Sequence, residues 1–222
     1  MMRPFMRNFA LLVLGTLLFL SLSACFDGDH ASSAVGEAPP ASPTMIEFVT
    51  DLDMSWNPGV QRGMWRVETD DNRANGKIHT ISETECPDRY RVLVSGSTRS
   101  EKIYIDKTMY ERNGDGPWAV RPMQIHHMML QQCNKREPPH EDPARIRMLA
   151  EQFNGVDISG PVLRKVNGHT CREWTRKIQD FNTSLILKTC YDVETHGTIQ
   201  INYGEVVTTY DYDAKVDIKA PI

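Results

Sequence analysis

The sequence predicts a mostly-β domain of the α+β kind: an antiparallel sheet that curls, with two mid-chain helices covering its concave face. Three observations carry that expectation. Short alternating or β-rich segments, divided by turn residues, run from Gly63 to Trp118 and again from Val156 to Ile218. Helical periodicity occupies the middle, between Pro122 and Phe153. With about five or six strands on either side of the helices, an antiparallel sheet of that size tends to curl rather than stay flat.

The chain opens with an export pattern. Arg3 and Arg7 form a basic front, and Ala10 to Leu20 is apolar apart from Gly15 and Thr16. That run is short for a membrane span, which needs about 20 apolar residues. Small residues then precede a cysteine: Leu22-Ser23-Ala24-Cys25 resembles the bacterial lipobox. The resemblance implies cleavage after Ala24 and transfer of diacylglycerol to the Cys25 thiol, so that the membrane is a partner through a lipid anchor. Residues 1–24 are expected to be the signal and 25–45 the lipidated cysteine with a linker. Asp27 to His30 is polar and Ala31 to Thr44 is rich in Ala, Ser and Pro, a composition that buries little apolar surface. Residues 46–222 are expected to form one domain. The signal carries two arginines and no acid, so the net charge of −4 becomes −6 in the mature chain. An acidic chain with no basic block excludes nucleic acid as the natural partner.

Met45 to Trp56 reads as a short helix, with Ile46, Val49 and Leu52 near helical spacing, broken by Asn57-Pro58-Gly59. Strands are expected over Gly63–Thr69, with Trp65 and Val67 sharing a face, then over Lys77–Cys86, Arg89–Gly96, Glu101–Asp106 and Thr108–Arg112. Asn113-Gly114-Asp115-Gly116 is a turn. Ile125, Met128, Met129 and Cys133 share a face of a helix expected over Pro122–Gln132. Asn134–Glu141 is a polar loop. Asp142-Pro143 starts a second helix, since Asp caps free N–H groups and Pro suits the first helical position. Ile146, Leu149, Ala150 and Phe153 follow at i, i+3, i+4, i+7, and Asn154-Gly155 ends it. Strands resume over Val162–Val166, Cys171–Lys177, Ser184–Tyr191, Thr198–Tyr203 and Val206–Tyr212, with Asn167-Gly168 as a hairpin turn and a last strand at Val216–Ile218.

Four cysteines remain beyond Cys25, an even number in an exported chain, which suggests two disulfides. If Cys171 stands opposite Cys190 in an antiparallel hairpin, Glu173 meets Lys188 and Trp174 meets Leu187, pairings that sheets favour. Cys171–Cys190 is therefore the expected bridge and Cys86–Cys133 follows by elimination. No C-x-x-C spacing suggests zinc or redox chemistry.

Chemistry-bearing motifs are scarce. The sequence has no G-x-S-x-G, H-E-x-x-H or P-loop pattern, so no catalytic residue, metal site or cofactor is expected. His126-His127-Met128-Met129 has copper-ligand chemistry, but neighbours on a helix point about 100° apart and cannot converge on one ion. Asp211 and Asp213 would share a strand face and read as solvated edge charges rather than an acid/base pair.

Five segments stand in order along the chain: Pro87-Asp88-Arg89-Tyr90-Arg91, then Ile103-Tyr104-Ile105-Asp106-Lys107-Thr108-Met109-Tyr110, Gly116-Pro117-Trp118, Tyr210-Asp211-Tyr212-Asp213 and the ending Val216-Asp217-Ile218-Lys219-Ala220-Pro221. With them the chain resembles the LolA/LolB-like superfamily of periplasmic lipoprotein and lipid carriers, including mycobacterial lipid-carrying lipoproteins. The order of these segments spans nearly all of the mature domain. The resemblance implies a half-barrel plugged by helices, holding a lipid or lipoprotein acyl chain. Trp65, Tyr90, Tyr104, Tyr110, Trp118 and Trp174 would line the sheet side of that cavity, with Met128, Met129, Leu149 and Phe153 on the lid. Read from the residues alone, the same aromatics equally suit a filled core. Two function classes follow: an outer-membrane, periplasm-facing lipoprotein that binds lipid, or an envelope lipoprotein with a filled core that docks a protein partner. Phe26 after the anchor favours the outer membrane, whereas Asp27 leaves inner-membrane retention open. The family's Gly-Leu-Pro after the Cys190 strand is absent; His196-Gly197-Thr198 stands there.

Overall fold

The computed structural model describes residues 41–73, 76–123, 133–134, 137–180 and 183–221. Its first element, α1 (Pro43–Met54), begins just before the expected Met45. Ser42 decides the start: its hydroxyl accepts the Met45 N–H at 3.2 Å, and Pro43 occupies the first helical position. One turn of helix, α2 (Gly59–Arg62), precedes the sheet.

Eleven strands follow: β1 (Met64–Asp71), β2 (Ile78–Glu85), β3 (Arg89–Gly96), β4 (Ser100–Ile105), β5 (Thr108–Asn113), β6 (Ala119–Pro122), β7 (Ile158–Val166), β8 (His169–Asp180), β9 (Thr183–Asp192), β10 (Thr198–Tyr203) and β11 (Val206–Asp211). They form one antiparallel sheet in the order β6-β5-β4-β3-β2-β1-β11-β10-β9-β8-β7. The chain starts in the centre, meanders out to β6, crosses to the far edge at β7, and meanders back until β11 pairs with β1. Among the described residues the two edges do not pair, so the curved sheet is open there as a half-barrel. The crossover contains α3 (Pro143–Gln152), whose Asp142 carboxylate accepts the Ala144 and Arg145 N–H groups. Asn167 and Gly168 have φ of 51° and 86°, as a two-residue hairpin turn between β7 and β8 requires.

The helical cover differs from the expected pair of mid-chain helices. Among the described residues it consists of α1 and α3 packed on each other, because both present an apolar stripe. Phe48, Val49 and Met45 on α1 meet Ile146 and Ala150 on α3, over Trp174 and Tyr191 of the sheet. The helix expected over Pro122–Gln132 lies mostly outside the described residues, and Pro122 itself closes β6, a strand the sequence reading did not anticipate.

Two further expectations are corrected. The expected strand at Val216–Ile218 does not form. Its alternation is real, with Ala214, Val216 and Ile218 buried between exposed Lys215, Asp217 and Lys219. The segment lies across Ile103, Ile105, Tyr110 and Trp118 instead of pairing at an edge. Side chains hold it: the Ile218 N–H donates to Glu85 Oε2 (2.9 Å) and Arg89 Nη1 donates to the Ile218 carbonyl (3.0 Å). The β8–β9 register is also displaced by two residues. Cys190 stands opposite Glu173, and Cys171 opposite Asp192. Extending the hairpin to Asp180 and Thr183 adds ladder pairs that the expected wider loop would forgo. A shift of two keeps every side chain on its face, so the diagonal cysteines still bridge, with Cα atoms 5.5 Å apart. Cys86–Cys133 is the second disulfide, with a Cα separation of 5.6 Å.

Candidate functional site: the inner face of the half-barrel

Cross-strand register assigns each sheet residue to one of two faces. The face that α1 and α3 cover, termed inner, carries Trp174 on β8. It continues through Tyr210 on β11 and Trp65 and Val67 on β1. Beyond them it holds Ser82 and Thr84 on β2, Tyr90 and Val92 on β3, and Tyr104 and Lys102 on β4. Tyr90 and Tyr104 stand directly opposite each other, with ring centroids 5.9 Å apart. Both are half-buried. Burial pushes the Tyr90 phenol above its ordinary value, only partly offset by its hydrogen bond with Ser82, and burial likewise raises Tyr104. Tyr210 is raised by burial too. These phenols therefore remain neutral at physiological pH and offer hydroxyls rather than charge. Thr69 and Thr208 add a hydroxyl pair at 3.2 Å on the same face. Lys102 is matched by Glu111 at 3.2 Å. An aromatic floor dotted with neutral hydroxyls suits an apolar chain carrying a polar but uncharged linkage.

The remaining expected lining residues are distributed elsewhere. Trp174 is 1% exposed, with Phe48 edge-on at 5.5 Å, and its indole N–H donates to Asp51 Oδ2 at 2.6 Å. Leu149 and Phe153 pack into the same cluster. Trp65 is also buried, at 4%, and lies with Val60 of α2, Ile199, Tyr212 and the cysteines of both disulfides at one end of the sheet. Tyr110 and Trp118 belong to the opposite, outer face. Tyr110 pairs with Ile103, and both aromatics contact the C-terminal segment. They cannot line the inner face, because strand alternation points Tyr110 away from Tyr104's neighbour Met109. Met128 and Met129 lie outside the described residues, as does Cys25. Thus Tyr90 and Tyr104 are the expected lining residues that the fold brings together, flanked by Trp65.

Two polar constructions escaped the sequence reading. On the inner face, Asp51 of α1 accepts the Trp174 N–H and forms an ion pair with the Arg172 guanidinium (Nε to Oδ2, 3.0 Å), while Arg172 also reaches Glu47. Burial raises the Asp51 carboxyl above the usual range, partly countered by the Trp174 hydrogen bond and Arg172. On the outer face a ladder of charge crosses five strands: Arg66, Glu83, Arg91, Glu101 and Arg112. Burial of Glu101 would raise its carboxyl, but hydrogen bonds and charge from Arg112 and Arg91 outweigh it and hold it below the usual range. A cleft of about 310 Å³ lies between this ladder, Trp118 and the C-terminal residues Asp217, Ile218, Lys219 and Pro221. The alternating Arg and Glu residues were visible in the sequence, but only strand register aligns them.

Among the described residues no group of three or more His, Cys, Asp or Glu side chains is placed to hold a metal ion. No helix among them is long and apolar enough to cross a membrane.

Searches of protein-family models and of curated protein sequences return no match. Solved structures do match. The chain aligns with the Mycobacterium tuberculosis lipoprotein LppX over 80% of its own length and 100% of that chain, with 9% identity and a TM-score of 0.41. It aligns with MucB, solved in complex with MucA(peri), over 78% of its length and 57% of that chain, with 12% identity and a TM-score of 0.39. A LolA superfamily protein, NE2245 from Nitrosomonas europaea, aligns over 78% and 91%, with 6% identity and a TM-score of 0.25. The architecture expected from the LolA/LolB-like resemblance, an open antiparallel half-barrel carrying helices, is the architecture observed.

Proposed function

We propose that this chain is a non-catalytic lipoprotein of the bacterial envelope, anchored at Cys25 and binding the acyl portion of a lipid or lipoprotein on the inner face of its half-barrel. Outer-membrane attachment facing the periplasm is the location that Phe26 favours. The observation that carries the reading is the facing pair Tyr90–Tyr104, half-buried on the inner face beside Val92 and the hydroxyls of Ser82 and Thr84. Such a surface gains by covering with an apolar ligand, at roughly 25 cal/mol for each Å² of apolar area removed from water. Neutral phenols hydrogen-bond an ester or amide without demanding a countercharge. A role in lipid or lipoprotein trafficking at one membrane follows from tethering.

The test is extraction and mass spectrometry of lipid from the full lipidated chain purified in a detergent of defined mass. Wild type should retain about one equivalent of an acyl lipid besides its anchor, and a Tyr90→Asp, Tyr104→Asp double variant should lose it. Wild type free of such lipid, and taking up no fluorescent acyl probe, would leave the filled-core docking role as the better account.

A further inference from the structure

The two most exposed large hydrophobic residues in the described structure are consecutive. Val162 is 58% exposed and Leu163 67%. Both lie on β7, which is an edge of the sheet. Consecutive strand residues point to opposite faces, so Val162 protrudes on the outer side and Leu163 on the inner side. Each is followed two residues on by a cation on its own face: Arg164 after Val162, and Lys165 after Leu163. All four are exposed. At a two-residue strand advance of about 6.6 Å, each face presents an aliphatic tip and then a positive charge.

This edge is poorly suited to receiving another strand. The β7–β8 register shifts between Ser159 and Val162, and Pro161 within that irregularity has no N–H to give. Gly160 is required there: with φ of 124°, an added Cβ would lie 2.7 Å from the Glu173 carbonyl oxygen. The bulge therefore interrupts the outward hydrogen-bonding row. A flat protein partner lying on one face of the sheet could bury Val162 or Leu163, but not both. A medium that admits the strand edge-on buries both at once.

The tether points to what that medium is. Leu163 stands directly opposite Arg172, and Arg172 pairs with Glu47 in the first half of α1. The chain from the Cys25 anchor thus joins the domain beside β7. From Cys25 to Ser42 it can extend at most about 60 Å, so it holds this edge at a high effective concentration near the bilayer. We propose that β7 is a membrane-contact wedge. Val162 and Leu163 enter the acyl region of a glycerophospholipid bilayer, and Arg164 and Lys165 stay at the level of its phosphates, as long cationic side chains do at interfaces. Arg164 also pairs with Glu173, which moderates the charge dependence of contact. This inference rests on the Cys25 anchor in the proposed function but is independent of what the inner face binds. Its consequence is orientation: the wedge fixes which side of the half-barrel faces the lipid.

The test reconstitutes the full lipidated chain in vesicles of phosphatidylethanolamine and phosphatidylglycerol, with and without brominated acyl chains. Leu163→Trp and Val162→Trp are compared with Glu205→Trp in the exposed β10–β11 turn. The added indole at 162 and at 163 should lose most of its emission to the bromines, and that at 205 should keep it. Near-ultraviolet circular dichroism verifies that each variant is folded. Quenching at neither 162 nor 163, or at only one of them, overturns the edge-on wedge. Flotation of the wild type separates the two readings: a chain that floats without quenching refutes the wedge alone, whereas a chain that does not float refutes the anchor and the wedge with it.

Discussion

Strands β7–β9 and strands β2–β5 have similar alternating sequences, yet the two flanks of the sheet are finished differently. On the β7–β9 flank, α1 and α3 press Phe48, Ile146 and Ala150 onto Trp174 and Tyr191, and the polar groups trapped there are tied to Asp51. On the β2–β5 flank, the inner face carries half-buried tyrosines and hydroxyls, while the weight of polar pairing has moved outside, to the Arg66–Glu83–Arg91–Glu101–Arg112 ladder under the C-terminal segment. The helix-packed core and the facing tyrosine pair thereby lie on different flanks of the sheet. On one flank two helices pack onto the inner face, whereas on the other Tyr90 and Tyr104 stay half-buried.

The sharpest way to break this contrast is to damage the packed flank. Trp174→Ala removes a fully buried ring, its contact with Phe48 and the donor to Asp51, and should cost about 3–5 kcal/mol in denaturant unfolding. A loss below about 1 kcal/mol would mean that the helices are not structural here. Next in size are the disulfides. Both gather with Trp65 at one end of the sheet, and reducing either should cost about 2–4 kcal/mol, read as a lower melting temperature in reductant. Unchanged melting would refute the staples.

The two buried carboxylates should respond to pH with opposite signs. Glu101 is held below the usual range, so its contribution is present above the ordinary carboxylate value and fades as pH falls through its lowered value. Asp51 is raised by burial, so stability from it is greatest in acid and declines as pH rises through its raised value. Unfolding series from about pH 3 to 7 should therefore show a shallower acid loss in Glu101→Gln and a shallower loss on the rising side in Asp51→Asn. Equal slopes in both variants and wild type would contradict the electrostatic contrast. The smallest effect on stability belongs to the open flank. Tyr104→Ala should cost only about 1–2 kcal/mol yet abolish most lipid retention. Retention unchanged in that variant would move the binding surface elsewhere.

Legibility in the sequence followed the range of the interactions. Alternation located most of the eleven strands within a few residues, and Asp142 and Asn167-Gly168 marked a cap and a turn that their own side chains or dihedrals create, whereas the Ser42 cap that starts α1 was not read. Strand β6 was missed because all four of its residues are exposed and it has no alternation to read. Tyr110 and Trp118 were assigned to the cavity because aromatic identity says nothing about which face a strand shows. That depends on register, and a shift of one residue inverts it.

By itself the sequence determined a mostly-β domain, the order of most of its strands, the lipobox-like Cys25 segment and the pairing of four cysteines. These are local patterns or elimination among few choices. Only the tertiary structure decided that β1 sits at the centre beside β11, that α1 joins α3 as cover, and that the C-terminal alternation lies over the outer face instead of extending the sheet. Those outcomes depend on contacts between residues more than a hundred positions apart, such as Trp174 with Asp51 and Ile218 with Glu85. Burial and register select such contacts collectively, and no short stretch of the chain encodes them.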